Sequence, residues 1–289
     1  MILNIRNWFF CFLWFSVGLC RFVGLDINCR YLFFQFRFVK RKIQNIFTAN
    51  YLLETMSGFK KLIYTVLSIS GFVPEHMTIV RAFFMLGSIL VSIYVLPLYS
   101  QTTFAILYFS VSTIVYIGFI FLVLSEHGLR LKLIQKFGEE KAYLYYEGFL
   151  AFAFFHNGAS LTFISQSSAG SGFWREVPMM GIVAILFFVG LGIKIWSAYV
   201  VGIPVYYWKD MFLGKKVSEF VMTGPYKYIS NPMYGIGQVQ VYAIALYYNS
   251  IYGLIFGAVN QSLIFLFYFL SEKPFIYRTY IRVQNPAAK

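Results

Sequence analysis

The sequence predicts an all-α protein, a helical bundle that crosses a membrane several times and closes with a C-terminal helical hairpin. Three observations carry this reading. Of 289 residues, 59% are hydrophobic and only 12% are charged, whereas a soluble domain carries about 25% charged residues; the mean hydropathy is +0.67. The apolar residues gather into runs near the ~20 residues that a helical span requires. The basic residues, which give a net charge of +13, fall in short clusters between those runs and on alternate connections, the pattern that orients spans.

Residues 1–47 join an apolar run, "WFFCFLWFSVGLC", to a basic run, "FRFVKRKIQ". No small-residue cleavage site follows, so the segment reads as an uncleaved anchor or a leader, assigned to 1–55, with Met56 a candidate true start. Cys11, Cys20 and Cys29 all lie here and form no CxxC pair, which supports neither a metal nor a redox site. A second block, 56–142, holds the first membrane helices. Its opening "LIYTVLSISGFVP" is too short to span and predicts an interfacial or re-entrant helix ending before Pro74. Runs at 79–98 and 102–125 each supply one span.

The third block, 143–289, carries runs at 143–165 and 179–205, a basic segment at 206–231, and two closing runs at 232–249 and 251–271 that form the hairpin. Connections 126–142 and 206–231 and the tail after Lys273 hold clustered Lys and Arg. Those at 98–103, 166–178 and 247–253 hold only Arg175. The basic set therefore faces the cytoplasm, and its charge suits anionic headgroups. A nucleic-acid partner is disfavoured, because no zinc, helix-turn-helix or aromatic RNA signature accompanies the charge.

Three stretches stand out against the apolar background. In "GPYKYISNPMY", Gly224–Pro225 sets a turn, and Pro232 suits the first position of the following helix. Asn231 then falls at its N-cap, where it can bond orphan amides or share them with an anionic ligand. In "FFVGLGIKIW", Gly190 and Gly192 permit close helix packing, and Lys194 is a cation inside a span, a residue that usually pairs, snorkels or faces a cavity. In "FLSEKPFIYRTY", Glu272 closes the last apolar run beside Pro274. The threading brings it to the same membrane face as 224–234, where it can pair with an ammonium group. Glu147 reads as interfacial and His156 as an interhelical contact. The sequence offers no credible Ser/His/Asp triad, HExxH motif, metal-ligand cluster or phosphate loop.

Taken together, residues 181–282 resemble the membrane-bound phospholipid methyltransferases, the phosphatidylethanolamine N-methyltransferase family, and more distantly the isoprenylcysteine carboxyl methyltransferases. The matching features are Gly190-Leu191-Gly192, the stretch "YYWKDMFLG" with Asp210, Gly224-Pro225-Tyr226 running on to Asn231-Pro232-Met233-Tyr234, and Glu272-Lys273-Pro274-Phe275. Asn231 stands where the carboxyl methyltransferases carry histidine, which favours the phospholipid branch. Lys273 stands where the family has a second carboxylate.

The resemblance implies S-adenosylmethionine as methyl donor and a membrane phospholipid as acceptor, in phospholipid biosynthesis. It implies a donor site formed by Gly190, Leu191, Gly192, Gly224, Pro225, Tyr226, Asn231, Pro232, Tyr234 and Glu272, with Asp210 or Glu272 taking the acceptor's proton. A multi-pass protein of this kind would reside in the endoplasmic reticulum of a eukaryote or the inner membrane of a bacterium. A carboxyl or small-molecule methyltransferase, and a non-enzymatic protein or reductase sharing the hairpin, are the alternatives.

Overall fold

The computed structural model describes residues 58–174 and 176–281. The leader 1–55, its three cysteines and Met56 lie outside the described residues, as do Arg282 and Lys289. The described chain contains helices and turns, with no strand among them. Helix α1 (Gly58–Ile69) is the short element expected before Pro74. Helix α2 (Ile79–Leu90) continues through irregular turns to Tyr99. It is followed by α3 (Thr102–Leu124), α4 (Arg130–Phe137), α5 (Glu139–Ser167) and α6 (Glu176–Val201). Two short helices, α7 (Ile203–Tyr206) and α8 (Lys209–Leu213), lead to the irregular stretch 214–238, and α9 (Val239–Tyr247) and α10 (Ile251–Phe267) form the hairpin. Among the described residues, five helices are long and apolar enough to cross a membrane: Ile79–Tyr99, Thr102–Leu124, Glu139–Ser167, Met180–Val201 and Ile251–Ile281.

Helix α5 is central. Small polar residues stitch it to α3: the Ser112 hydroxyl donates to Ser160 at 2.9 Å and the Asn157 amide to Thr113 at 2.9 Å. Such contacts let helices approach where no hydrophobic force between them operates. At its basic end, Tyr146 stacks on Phe212 with ring centroids 4.7 Å apart. Phe267 meets Phe121 and Trp208 edge-on, and all of these join one core that runs from α1 to α10.

Hydrogen bonds sort the connections into two ends. Lys215 Nζ donates to Glu139, Arg278 to Glu126, and Arg130 to the Phe212 carbonyl, so 126–139, 212–215 and 278 share one end. At the other, Gly170 and Gly172 amides donate to the Tyr248 and Asn249 carbonyls and Ser168 bonds Ser250.

Three expectations are corrected. First, the run 232–249 does not form a spanning helix that starts at Pro232 with Asn231 as N-cap. Residues 232–235 are a turn and regular helix occupies only 236–247, about 18 Å at 1.5 Å per residue against a ~30 Å hydrocarbon core. Gly235 and Gly237, poor helix formers, fall in the first turns; Gly235 takes φ −84°, ψ −102°. Second, the last helix does not end at 271. It continues to Ile281 through wide π-turns at Tyr268–Glu272 and Tyr277–Ile281. The Lys273 amide reaches back to the Tyr268 carbonyl, and this looser turn accommodates Pro274, whose ring and missing N–H would break a tight α-turn. Third, Glu147 is 1% exposed rather than interfacial. It accepts from Arg81 at 3.2 Å and lies 2.6 Å from His76 Nδ1.

Candidate active site

At the basic end a cavity of about 520 Å³ opens between 206–234, the end of α6 and the last helix. Its floor follows from a close contact between the 224–240 stretch and one face of α6. A Cβ on Gly190 would fall 2.6 Å from the Gln240 backbone nitrogen, one on Gly237 3.4 Å from Lys194 Cβ, and one on Gly224 2.9 Å from Val200 and 3.2 Å from the Trp196 indole. Positions 190, 194 and 200 share a helical face. The irregular chain thus lies antiparallel along α6, held by the absence of side chains at three points. Gly224 also takes φ +60°, a conformation cheap only for glycine.

The opposite wall is the last helix. Its π-turn presents Glu272, whose carboxylate accepts from the Tyr234 hydroxyl at 2.8 Å. Gln261 fixes the turn against that helix, donating to the Tyr234 carbonyl at 2.7 Å and the Gly235 carbonyl at 3.3 Å while accepting from the Tyr242 hydroxyl at 2.6 Å. It therefore satisfies the Tyr234 carbonyl, which lies before the start of α9, and adds a second donor to the Gly235 carbonyl, which also accepts from the Gln238 amide.

Asp210, buried at 5% exposure, accepts from the Val217 and Ser218 amides and the Ser218 hydroxyl at 3.0–3.1 Å. The Tyr280 hydroxyl also donates to it. Three of these donors fall on Oδ2 and one on Oδ1, and together they tie loop 214–218 to the end of the last helix.

The wall also holds polar atoms without partners. The Tyr206 hydroxyl and Asn231 Nδ2 are buried and bond nothing among the described residues, while the buried Tyr226 hydroxyl lies beside Ser197. Burial, and then the charge of Glu272, push the phenols of Tyr226 and Tyr234 above their ordinary range, so both remain O–H donors at neutral pH. An unpaired buried donor is costly, and a cluster of them in a cavity wall suits a ligand with acceptor atoms.

Of the residues named from the sequence, Tyr226, Asn231, Tyr234, Asp210 and Glu272 line the cavity together. Pro225 and Pro232 are buried behind it. Gly190 is filled by the Gln240 backbone, Gly192 meets nothing within 4 Å, and neither they nor Leu191 line this cavity. Leu191 instead lines a smaller cavity of about 90 Å³. Lys273 is exposed, its ammonium over the Phe269 ring.

Sequence reasoning did not find Trp208, Gln261 or Glu219. Trp208 sits in the left-handed region at φ 52° and lines the cavity at 8% exposure, a conformation rare for a bulky residue and held only where packing imposes it. No local pattern announces it. Glu219 stands exposed at the rim. Gln261, a polar residue inside an apolar run, was the one available signal for its contact.

Residues 179–282 match the family model of phospholipid methyltransferases. Phosphatidylethanolamine N-methyltransferase of Saccharomyces cerevisiae strain RM11-1a is 33% identical over 107 residues, which is 37% of this chain and 12% of that protein. The protein of the same name from strain YJM789 is 32% identical over the same span and coverage. The similarity therefore covers only 12% of the length of these curated relatives. No solved structure matches the chain significantly.

Proposed function

We propose that this chain transfers methyl groups from S-adenosylmethionine to the amine of a membrane phospholipid, phosphatidylethanolamine or its methylated derivatives. The observation that carries the reading is the convergence of Glu272, Tyr234, Tyr226 and Asn231 on one cavity, built mostly from the segment that matches the phospholipid methyltransferase family.

The residues fit the donor. Its volume class suits a cavity of about 520 Å³, within the ~300–1,000 Å³ typical of small-molecule sites. Glu272 offers a carboxylate to an ammonium group. The unpartnered Asn231 amide offers a donor to a carboxylate, and the surrounding aromatic faces suit a sulfonium. When bound, S-adenosylmethionine would supply an electrophilic methyl group to the lone pair of the acceptor amine, with the thioether as leaving group.

The chain's own contribution is positioning and exclusion of water. Tyr234 holds the Glu272 carboxylate, and Gln261 holds Tyr234's backbone. Asp210, held by donors from loop 214–218 and from Tyr280, acts by fastening that loop to the last helix rather than as a base. The acceptor's proton leaves through the mouth, where the exposed carboxylate of Glu219 lies. Gly190 contributes through helix packing against Gln240, and Gly192, with open space beside it, contributes to neither that packing nor the cavity wall. The site faces the cytoplasm, since the cavity lies at the end where the basic connections meet; the membrane is the endoplasmic reticulum in a eukaryote or the inner membrane in a bacterium.

Expression in a host that lacks methylated phosphatidylethanolamine, followed by lipid mass spectrometry, tests the reading. Wild type should yield mono-, di- or trimethylated lipid. Glu272→Gln should bind radiolabelled donor about ten- to a hundredfold more weakly, the equivalent of one hydrogen-bonded charge contact. A wild type that neither binds donor nor changes the lipids sinks the proposal. A prenylcysteine acceptor assayed in parallel separates the carboxyl methyltransferase alternative.

A further inference from the structure

Lys194 is the one feature of the cavity that donor binding leaves unexplained. It lies in the middle of a spanning helix, where a cation is costly and is retained for a partner or a ligand. No carboxylate among the described residues pairs with it: the ion pairs there join His76 and Arg81 to Glu147, Lys215 to Glu139 and Arg278 to Glu126. Its ammonium instead lies 4.9 Å from the centroid of the Phe154 ring, and the root of its side chain packs against Gly237.

Its position is specific. Lys194, Phe154 and Gln238 line both the larger cavity, which holds Glu272, and the smaller one of about 90 Å³. The smaller cavity is walled largely by aliphatic and aromatic side chains, including Ile69, Ile89, Leu161 and Ile244, with Gln240 and Asn260 as polar members of the wall. A cation therefore marks the junction between a chamber with a carboxylate and a chamber suited to hydrocarbon.

We propose that Lys194 anchors the phosphate of the acceptor lipid at the junction of the two cavities, with the amine reaching into the larger cavity and the start of an acyl chain entering the smaller chamber. This rests on the methyltransferase reading for the identity of the reaction, but the anchoring itself does not require it. A phospholipid carries its phosphate between an amine and its hydrocarbon, the same order as the larger cavity, Lys194 and the smaller chamber. The donor also bears an anion, its carboxylate, but has no hydrocarbon chain to occupy the second chamber. The site thereby distinguishes amine-bearing phospholipids from amine-bearing lipids without phosphate.

The test compares wild type, Lys194→Met and Lys194→Arg in detergent. One arm measures binding of short-chain phosphatidylethanolamine, competed by phosphatidic acid or diacylglycerol of equal chain length; the other measures binding of radiolabelled S-adenosylmethionine. Lys194→Met should weaken phosphatidylethanolamine about ten- to a hundredfold, the equivalent of one charge-assisted hydrogen bond, while donor affinity holds. Lys194→Arg should recover most of the loss. In wild type, phosphatidic acid should compete and diacylglycerol should not, a result that needs no variant to fold. Loss of donor affinity with lipid binding intact would assign Lys194 to the donor's carboxylate and overturn the proposal. Equal lipid binding in wild type and Lys194→Met, or equal competition by both lipids, would also overturn it. Because the lipid arm uses no donor, a wild type without donor binding refutes the methyltransferase reading and leaves this result standing.

Discussion

The two glycines of Gly190-Leu191-Gly192 separate a packing role from a donor-binding role. A Cβ on Gly190 would stand 2.6 Å from the Gln240 backbone nitrogen, where ordinary contact begins at 3.4 Å. The obstructing atom is backbone and cannot rotate away, so α6 and α9 must part by the better part of an ångström. Overpacking of this kind costs about 1–3 kcal/mol, and replacing glycine in a helix returns up to about 1 kcal/mol, so Gly190→Ala should destabilise by about 1–2 kcal/mol. Because the same contact seats the 224–240 stretch on α6, donor affinity should fall with it. Gly192 meets nothing within 4 Å, and Gly192→Ala should keep or raise stability, by up to about 1 kcal/mol, with donor affinity unchanged. Thermal unfolding of the purified protein in detergent and binding of radiolabelled donor report both quantities. A Gly192→Ala protein that unfolds at the wild-type temperature yet fails to bind donor would refute the reasoning, since it would place the donor on a face of α6 outside the cavity.

Two further outcomes follow from the hydrogen bonds. Asp210→Asn replaces an acceptor-only group, bonded by Val217, Ser218 and Tyr280, with one that turns a donor toward donors. It should cost about 1–3 kcal/mol and expose loop 214–218 to limited proteolysis; a lost kcat with stability and cleavage pattern intact would instead make Asp210 a base. Glu147→Ala strands Arg81 beside a buried site that its guanidinium fills, with bonds to the Leu144 and His76 carbonyls. Breaking such a buried pair costs about 3–5 kcal/mol, so the unfolding temperature should drop well below that of wild type, and an unchanged midpoint would show that the pair is not coupled to folding.

Much of the bundle was legible because the membrane imposes long apolar runs and a charge bias on its connections. The span at 102–124 needed only length and hydropathy, and the gathering of 126–139, 206–215 and 278 at one end followed from their shared basic character. What escaped depended on contacts remote in sequence. Glu147 looks interfacial until His76 and Arg81, on a different segment, are seen to meet it. Pro274 looks like a terminator because the π-turn that accommodates it leaves no compositional mark. Gly190 and Gly192 are equivalent as letters two apart in a span. Only the side on which Gln240 packs makes one indispensable and the other free. The Asn-Pro signature suggested a helix cap by local rule, but Asn231 Nδ2 is left without a partner in the cavity wall. There a polar group unused by secondary structure is available to a ligand.

This departure from the local rule also explains why the polar, glycine-rich interruption sits where it does. A regular helix starting at Pro232 would have satisfied its own amides and carbonyls and buried its surface against α6 with side chains between the two backbones. The irregular chain instead comes close enough for Gly237 to pack on Lys194 and Gly224 on Trp196 and Val200. It leaves the carbonyl at 234 for Gln261, and turns Tyr234 onto Glu272. The Glu272 carboxylate, the Lys194 cation and the unpartnered Asn231 amide are thus held around one space by backbone that forms no regular element. Backbone of this kind is tolerated at membrane depth only where protein or a polar cavity surrounds it, so the cost of the interruption is itself a reason to place the ligand there.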